Sequence, residues 1–226
     1  MTGALQLTVF DIDGTLVDSQ REIVAAMRAA FESCALRAPE PAQILSIVGL
    51  SLPQAIARLA PDQSEAAHAK LVHGYKEHFA QDRARNAPPP LYPGALALLD
   101  ALAERPEMLL GIATGKSRRG LAALLSAHEL GPRFVTTQVA DDHPSKPHPA
   151  MLSAALSETG VPAEMGVMIG DTSFDIEMAR AAGLRSIGVA WGYHGPQRLT
   201  QAGADVVVPD MDALADELLV RKRVTS

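Results

Sequence analysis

Apolar positions along this chain follow two periods in two territories. Residues 7–10 (LTVF) form a short apolar run that reads as a buried strand. From about residue 17 to 85 the spacing changes to threes and fours, the signature of helices with one buried stripe. Ile23, Val24, Met27, Phe31 and Cys34 share one stripe of a helix capped at Asp18 or Ser19 and running to about Leu36. Cys34 is thereby placed as a small buried hydrophobe. Residues 41–48 read as a short helical piece stopped by Gly49. Ser51-Leu52-Pro53 then reads as a cap with proline at the first helical position. Ile56 and Leu59 supply that helix's apolar face, and Ser64 opens another with Leu71, Val72, Tyr75 and Phe79 as its stripe. Asn86-Ala87-Pro88-Pro89-Pro90 breaks regular structure as a stiff linker does.

Beyond residue 91 strand and helix patterns alternate. Strands are expected at 108–113, 134–139, 166–169, 186–190 and 206–208. Helices are expected from Pro93-Gly94 to Glu104, over 117–128, from Pro149 to the stop at Gly160, between Asp171 and Gly183, briefly after 190, and from Met211. Met151, Leu152, Ala155 and Leu156 face inward on the third of these. Such alternation implies an α/β fold, a doubly wound, Rossmann-like parallel sheet. The first strand precedes the helical stretch and the others follow it. Residues 17–85 therefore read as an inserted α-helical cap, and residues 1–16 and 86–226 as the core, with hinges near 16–18 and 85–91. Ligands of such sheets bind beyond the carboxyl ends of the strands.

Composition narrows the classes. A net charge of −6 over 226 residues argues against a nucleic-acid-binding surface. No apolar run approaches the roughly 20 residues of a membrane span, and no secretory leader pattern is evident. The single cysteine forms no intrachain disulfide, which points to a reducing, cytoplasmic setting. Arg221-Lys222-Arg223 reads as a solvated tail. Monomer and homodimer both fit.

The candidate chemistry sits at the strand ends. Asp11 and Asp13 are spaced i, i+2, so they would point one way if the strand continued; Gly14 and Thr15 follow at a tight turn. Paired carboxylates repel and need compensation, for which a divalent cation with oxygen ligands is the simplest agent. A carboxylate beside a hard metal is also a nucleophile able to accept a phosphoryl group. An ordinary Asp-Gly surface turn would explain neither the second aspartate nor the threonine. Thr114-Gly115, between a strand and a helix, offers a hydroxyl and backbone N–H groups to an anion, although threonine also caps helices there. Lys146 lies in Ser145-Lys146-Pro147-His148-Pro149, a stiff loop that holds a positive charge; alone it would read as an exposed lysine. Asp171 at a strand tip and Asp175 four residues on can face one site across a first helical turn, alongside a capping role. His68, His73 and His78 recur every five residues, turn by about 140° each, and form no metal site. His143 and His148 flank Lys146 and read as solvated; Trp191-Gly192-Tyr193 takes no assigned role.

The segments FDIDGTLVDS, IATGKS, SKPHP and GDTSFDIEMARAAG, in this order and each at a strand end, make the whole chain resemble the haloacid dehalogenase superfamily, in its phosphoglycolate-phosphatase-like branch. The resemblance implies a Mg²⁺-dependent phosphomonoesterase acting on a small phosphorylated metabolite, with 2-phosphoglycolate the leading candidate, through an aspartyl-phosphate. It makes Asp11 the nucleophile and Asp13 the general acid and then base. Thr114, Gly115 and Lys146 would hold the phosphoryl oxygens. Asp11, the carbonyl of Asp13 and Asp171 would hold Mg²⁺, with Asp175, Gly14 and Thr15 in support. Gly49, Leu50 and Ser51 would belong to the cap loop that closes over substrate. Dehalogenating relatives generally lack the second aspartate, and phosphonate-cleaving relatives carry a cap lysine after a Gly-Leu pair, where this chain has Ser51-Leu52. Phosphoglucomutase-like relatives tend to carry an arginine where Leu52 stands. Pyrophosphate and sugar phosphates remain alternative substrates. A non-catalytic phosphate-binding protein is the alternative class, against which both aspartates argue.

Overall fold

The structure is a computed structural model that describes residues 4–219. Six parallel strands, β1 (Gln6–Phe10), β2 (Met108–Thr114), β3 (Thr136–Val139), β4 (Gly166–Gly170), β5 (Arg185–Val189) and β6 (Val206–Val208), form one sheet in the order β3-β2-β1-β4-β5-β6. β1 is central, as its near-complete burial requires. Its register pairs Phe10 with Ile112 on β2 and with Ile169 on β4. Asp11, Thr114 and Asp171 therefore emerge at one end of the sheet.

Helices cover both faces. α5 (Ala95–Ala103), α6 (Arg118–Ala127) and α10 (Met211–Leu219) pack on one, around Phe10, Leu99, Ile112, Ile169 and Leu214. α7 (Ala150–Thr159) and α8 (Ser173–Ala182) pack on the other, around Leu7, Val9, Met151, Met168 and Met178. α9 (Pro196–Ala202) lies against β5 and β6.

Between β1 and α5 stand α1 (Gln20–Ser33), α2 (Pro41–Leu45), α3 (Leu52–Leu59) and α4 (Glu65–Arg85). They bury their own cluster, built from Ile23, Met27, Phe31, Ile44, Ile56 and Leu71. The chain leaves and re-enters the core side by side: Asp18 N–H donates to Pro90 O at 2.9 Å and Tyr92 N–H to Leu16 O at 2.9 Å.

Several sequence-based bounds shift. α1 ends at Ser33, not near Leu36, because Ala35 adopts φ +57° and Leu36 N–H bonds back to Phe31 O, a left-handed stop built without glycine. Cys34 is consequently only half-buried at the edge of the helical cluster, not a core residue. α2 stops at Leu45 and continues to Gly49 as turns. β3 starts at Thr136, not at residue 134; Phe134 closes a 3₁₀ turn with its ring in the core, and Val135 is 58 % exposed. Leu156 is half-buried beside the core. The basic residues Arg221-Lys222-Arg223 lie outside the described residues.

Candidate active site

The end of β1 places Asp11 at the centre. After the strand the chain turns at Gly14 (φ +85°): Gly14 N–H donates to Val17 O, and the N–H groups of Thr15, Leu16 and Val17 turn back onto Ile12 O. Asp13 therefore does not continue the strand, and its carboxylate is drawn to partners other than those of Asp11. Asp11 is buried, and neither of its oxygens receives an aligned hydrogen bond. Lys146 Nζ lies 3.0 Å from its Oδ1, a charge contact, and donates to Asp175 Oδ1 at 2.6 Å. Lys146 is wholly buried, unlike an ordinary loop lysine. Burial works against its ammonium, but the charges of Asp11 and Asp175 outweigh that and hold it protonated.

Asp175 is fully engaged: its Oδ2 accepts from Thr172 N–H at 3.0 Å and Thr172 Oγ1 at 2.6 Å, the capping box of α8. It serves as the clamp of Lys146. Asp171 Oδ1 accepts from Thr15 Oγ1 at 3.0 Å, and its Oδ2 accepts from Tyr193 N–H at 2.7 Å. The chain crowds Asp171 on two sides. A Cβ on Gly14 would stand 2.3 Å from its Oδ2, and one on Gly192 would stand 2.1 Å from its Cβ.

Oxygens of Asp11, Asp171 and Asp175 lie within 4.8 Å of one another, all buried. The ammonium of Lys146 meets two of these three carboxylates, those of Asp11 and Asp175. Burial raises the Asp11 carboxyl most, Lys146 pulls it down, and Asp175 and Asp13 push it up, which leaves it at about 7. Burial, then Asp11 and Asp175, also raise Asp171 well above the carboxylate range. Unaligned carboxylate oxygens and an excess of buried negative charge fit a hard divalent cation with oxygen ligands.

Sequence reasoning missed the residues around Asp13. Lys116 Nζ meets both Asp13 oxygens, at 2.7 and 2.8 Å. Ser19 Oγ donates to Asp13 Oδ1 instead of capping α1, and Tyr193 Oη lies 3.2 Å from Ser19 Oγ. Lys116 also stands 5.3 Å above the Phe79 ring of α4, so it touches both the core and the helical block. The one signal in the sequence was the lysine two positions after Thr114. Trp191-Gly192-Tyr193 turns out to wall the site, with Trp191 Nε1 donating to Thr15 O at 3.1 Å.

Thr114 is fully buried at the tip of β2, and its Oγ1 accepts from Lys116 N–H at 3.2 Å. A Cβ on Gly115 would meet Gly49 O at 2.8 Å and Leu50 O at 2.7 Å, so the loop before α3 rests directly on it. Ser51 N–H donates to Ser145 Oγ at 2.8 Å, next to Lys146. His194 adds a second tie. Its Nδ1 accepts from Ser173 N–H at 2.9 Å, which leaves Nε2–H to donate to Ser46 O at 3.1 Å. Burial, with Arg198, lowers the ring to about 4 and keeps it neutral. His143 bonds Gln138 and His148 bonds Ala150 N–H, both apart from the aspartates. Asp11, Asp13, Thr114, Gly115, Gly49, Leu50 and Ser51 all line a cavity of about 510 Å³ between block and core. Among the described residues no helix is long and apolar enough to cross a membrane.

The sequence and the fold have known counterparts. The profile of the haloacid dehalogenase-like hydrolase family matches residues 8–189. A probable phosphatase IndB of Dickeya dadantii is 35 % identical over 206 residues, 89 % of this chain and 88 % of that protein. A phosphoglycolate phosphatase of Rhodospirillum rubrum is 32 % identical over 219 residues, 93 % of this chain and 89 % of that protein. The crystal structure of a hydrolase from Pseudomonas syringae superposes with a TM-score of 0.84 at 25 % identity, covering 98 % of this chain and all of its own. The chain belongs to the haloacid dehalogenase-like hydrolase family and is an enzyme of its phosphatase branch.

Proposed function

We propose that this chain is a Mg²⁺-dependent phosphomonoesterase of the cytoplasm that works through an aspartyl-phosphate on Asp11. The observation that carries this reading is the state of Asp11: buried, with both oxygens free of aligned hydrogen bonds, and 3.0 Å from the ammonium of Lys146. Such a carboxylate keeps its lone pairs for attack, and the lysine offsets the repulsion of an incoming phosphoryl group.

Asp11, the carbonyl of Asp13 and Asp171 would hold Mg²⁺, which supplies charge neutralisation for phosphoryl transfer when bound. Lys146, Thr114 Oγ1 and the Gly115 N–H hold the phosphoryl oxygens. Asp175 keeps Lys146 in place, and Gly14 and Thr15 set Asp171. Asp13, in its protonated form, gives a proton to the leaving alkoxide. Lys116 and Ser19 stabilise the carboxylate so formed, which adds driving force to the transfer. That carboxylate then takes a proton from the water that opens the aspartyl-phosphate.

Residues 17–85 act as the cap. Gly49, Leu50 and Ser51 lie over Gly115 and exclude bulk water from the site in the closed state. The substrate is a small phosphorylated metabolite. Phosphoglycolate, the substrate in the names of several relatives, is the reference compound. The test is phosphate release by the purified protein with Mg²⁺, and with EDTA as control. Turnover lost in EDTA supports the reading; equal turnover in EDTA removes the cation from it.

A further inference from the structure

Resting on the phosphatase reading, the cavity carries an inference about the substrate's leaving group. Its volume of about 510 Å³ equals the liquid share of roughly 17 water molecules. Phosphoglycolate, with roughly nine non-hydrogen atoms, fills about half of that. The remainder is apolar on one side. One wall is apolar, made by Ile23 and Met27 of α1, Val48 and Leu52 of the loop and α3, and Tyr75 and Phe79 of α4, while Lys76, Lys116, Ser117 and Asp141 add polar groups elsewhere in the lining. Tyr75 and Phe79 stack at 5.7 Å, centroid to centroid. Arg83 of α4, half-buried, and Arg119 of α6, exposed, also line the cavity, neither with an acidic partner among the described residues. An apolar wall filled by water is unfavourable, and a ligand that displaces that water gains by it. A two-carbon acid beside Asp13 meets only the near edge of that wall, where Lys116 stands 5.3 Å from the Phe79 ring, and leaves about half of the cavity unfilled.

We infer that the preferred substrate is a phosphomonoester whose leaving group carries an apolar or planar body of about ten or more non-hydrogen atoms. That body lies along the Tyr75–Phe79 face of α4, and its far end presents hydrogen-bond acceptors to Arg83 and Arg119. Phosphorus–oxygen cleavage follows the course proposed above: the phosphoryl group passes to Asp11, and the leaving oxygen takes the proton of Asp13.

The experiment compares kcat/KM for acetyl phosphate, phosphoglycolate, glucose 6-phosphate and pyridoxine 5′-phosphate. The last two release alcohols of equal size, about twelve non-hydrogen atoms each, that differ in polarity. Pyridoxine 5′-phosphate is expected to exceed both glucose 6-phosphate and phosphoglycolate by about tenfold or more. Ala80→Trp, on the cavity face of α4, is expected to lower the ratio of pyridoxine 5′-phosphate to acetyl phosphate about tenfold. Arg83→Gln is expected to lower the same ratio severalfold, and it serves if Ala80→Trp does not fold. Phosphoglycolate or glucose 6-phosphate as the best substrate, or an unchanged ratio in a folded variant, overturns the inference. Indiscriminate turnover that includes acetyl phosphate also overturns it but leaves the phosphatase reading standing. No turnover of any compound, acetyl phosphate included, overturns both.

Discussion

Lys146→Met removes the ammonium shared by Asp11 and Asp175 while nearly keeping its volume. Lys146 is wholly buried, 3.0 Å from Asp11 and 2.6 Å from Asp175. Breaking a buried ion pair from one side costs about 3–5 kcal/mol, because the other charge is left uncompensated. For a chain of this size that is a fall in Tm of about 6–20 °C. The loss depends on pH in a defined direction. Burial already holds the Asp11 carboxyl at about 7 against its ordinary 3.8, and Lys146 is the main influence pulling it down. Without Lys146 it rises further. An acid raised in the folded state keeps a proton that the unfolded chain has released, so folded stability declines as pH climbs between the two values and is flat above. The deficit of the variant against the wild type is therefore widest near pH 8 and narrowest near pH 5. Thermal melts by circular dichroism at both pH values, in EDTA, measure it, and added Mg²⁺ restores part of it at pH 8. A deficit under about 2 °C at pH 8, or one that grows toward pH 5, would refute the reasoning.

Gly192→Ala drives a Cβ to 2.1 Å from Asp171 Cβ, so it should cost about 1–3 kcal/mol and weaken Mg²⁺ activation. Gly131→Ala, with nothing within 4 Å, should stay within about 0.5 kcal/mol in the same melts. Lys116→Met takes the ammonium from both Asp13 oxygens, leaving Oδ1 to Ser19, and should lower kcat by about 10²-fold in steady-state assays; an unchanged kcat would remove Lys116 from the mechanism. His194 contributes in the opposite pH sense to Asp11. Its ring is held near 4, so its share of stability is present above about 6.5 and is lost as pH falls toward 4. His194→Gln should flatten that acid limb of the stability profile.

The sheet and the principal aspartates were legible because they are local features. Strand runs ending in Asp11, Thr114 and Asp171 carry both periodicity and turn chemistry in a few consecutive residues, and a parallel sheet brings such ends together by topology alone. The environment of Asp13 was not legible. Ser19 reads as a helix cap by type and position, and only the fold shows its hydroxyl diverted to Asp13. Lys116 is one more lysine until β2 and the β1 turn are side by side. Gly192 and Tyr193 meet Asp171 from more than 20 residues away, which no spacing rule encodes. The end of α1 was missed because Ala35 takes a left-handed conformation that usually signals glycine. Cys34 shares the apolar spacing of α1 yet lies one residue past its end, which leaves it half-buried.

The most direct test of the account is to quench the enzyme in acid during turnover with Mg²⁺ and locate any phosphoryl group by mass spectrometry of its peptides. The account predicts an acid-stable phosphoryl adduct on Asp11, absent in Asp11→Asn along with turnover. A phosphoryl group on another residue, or turnover retained by folded Asp11→Asn, would contradict it.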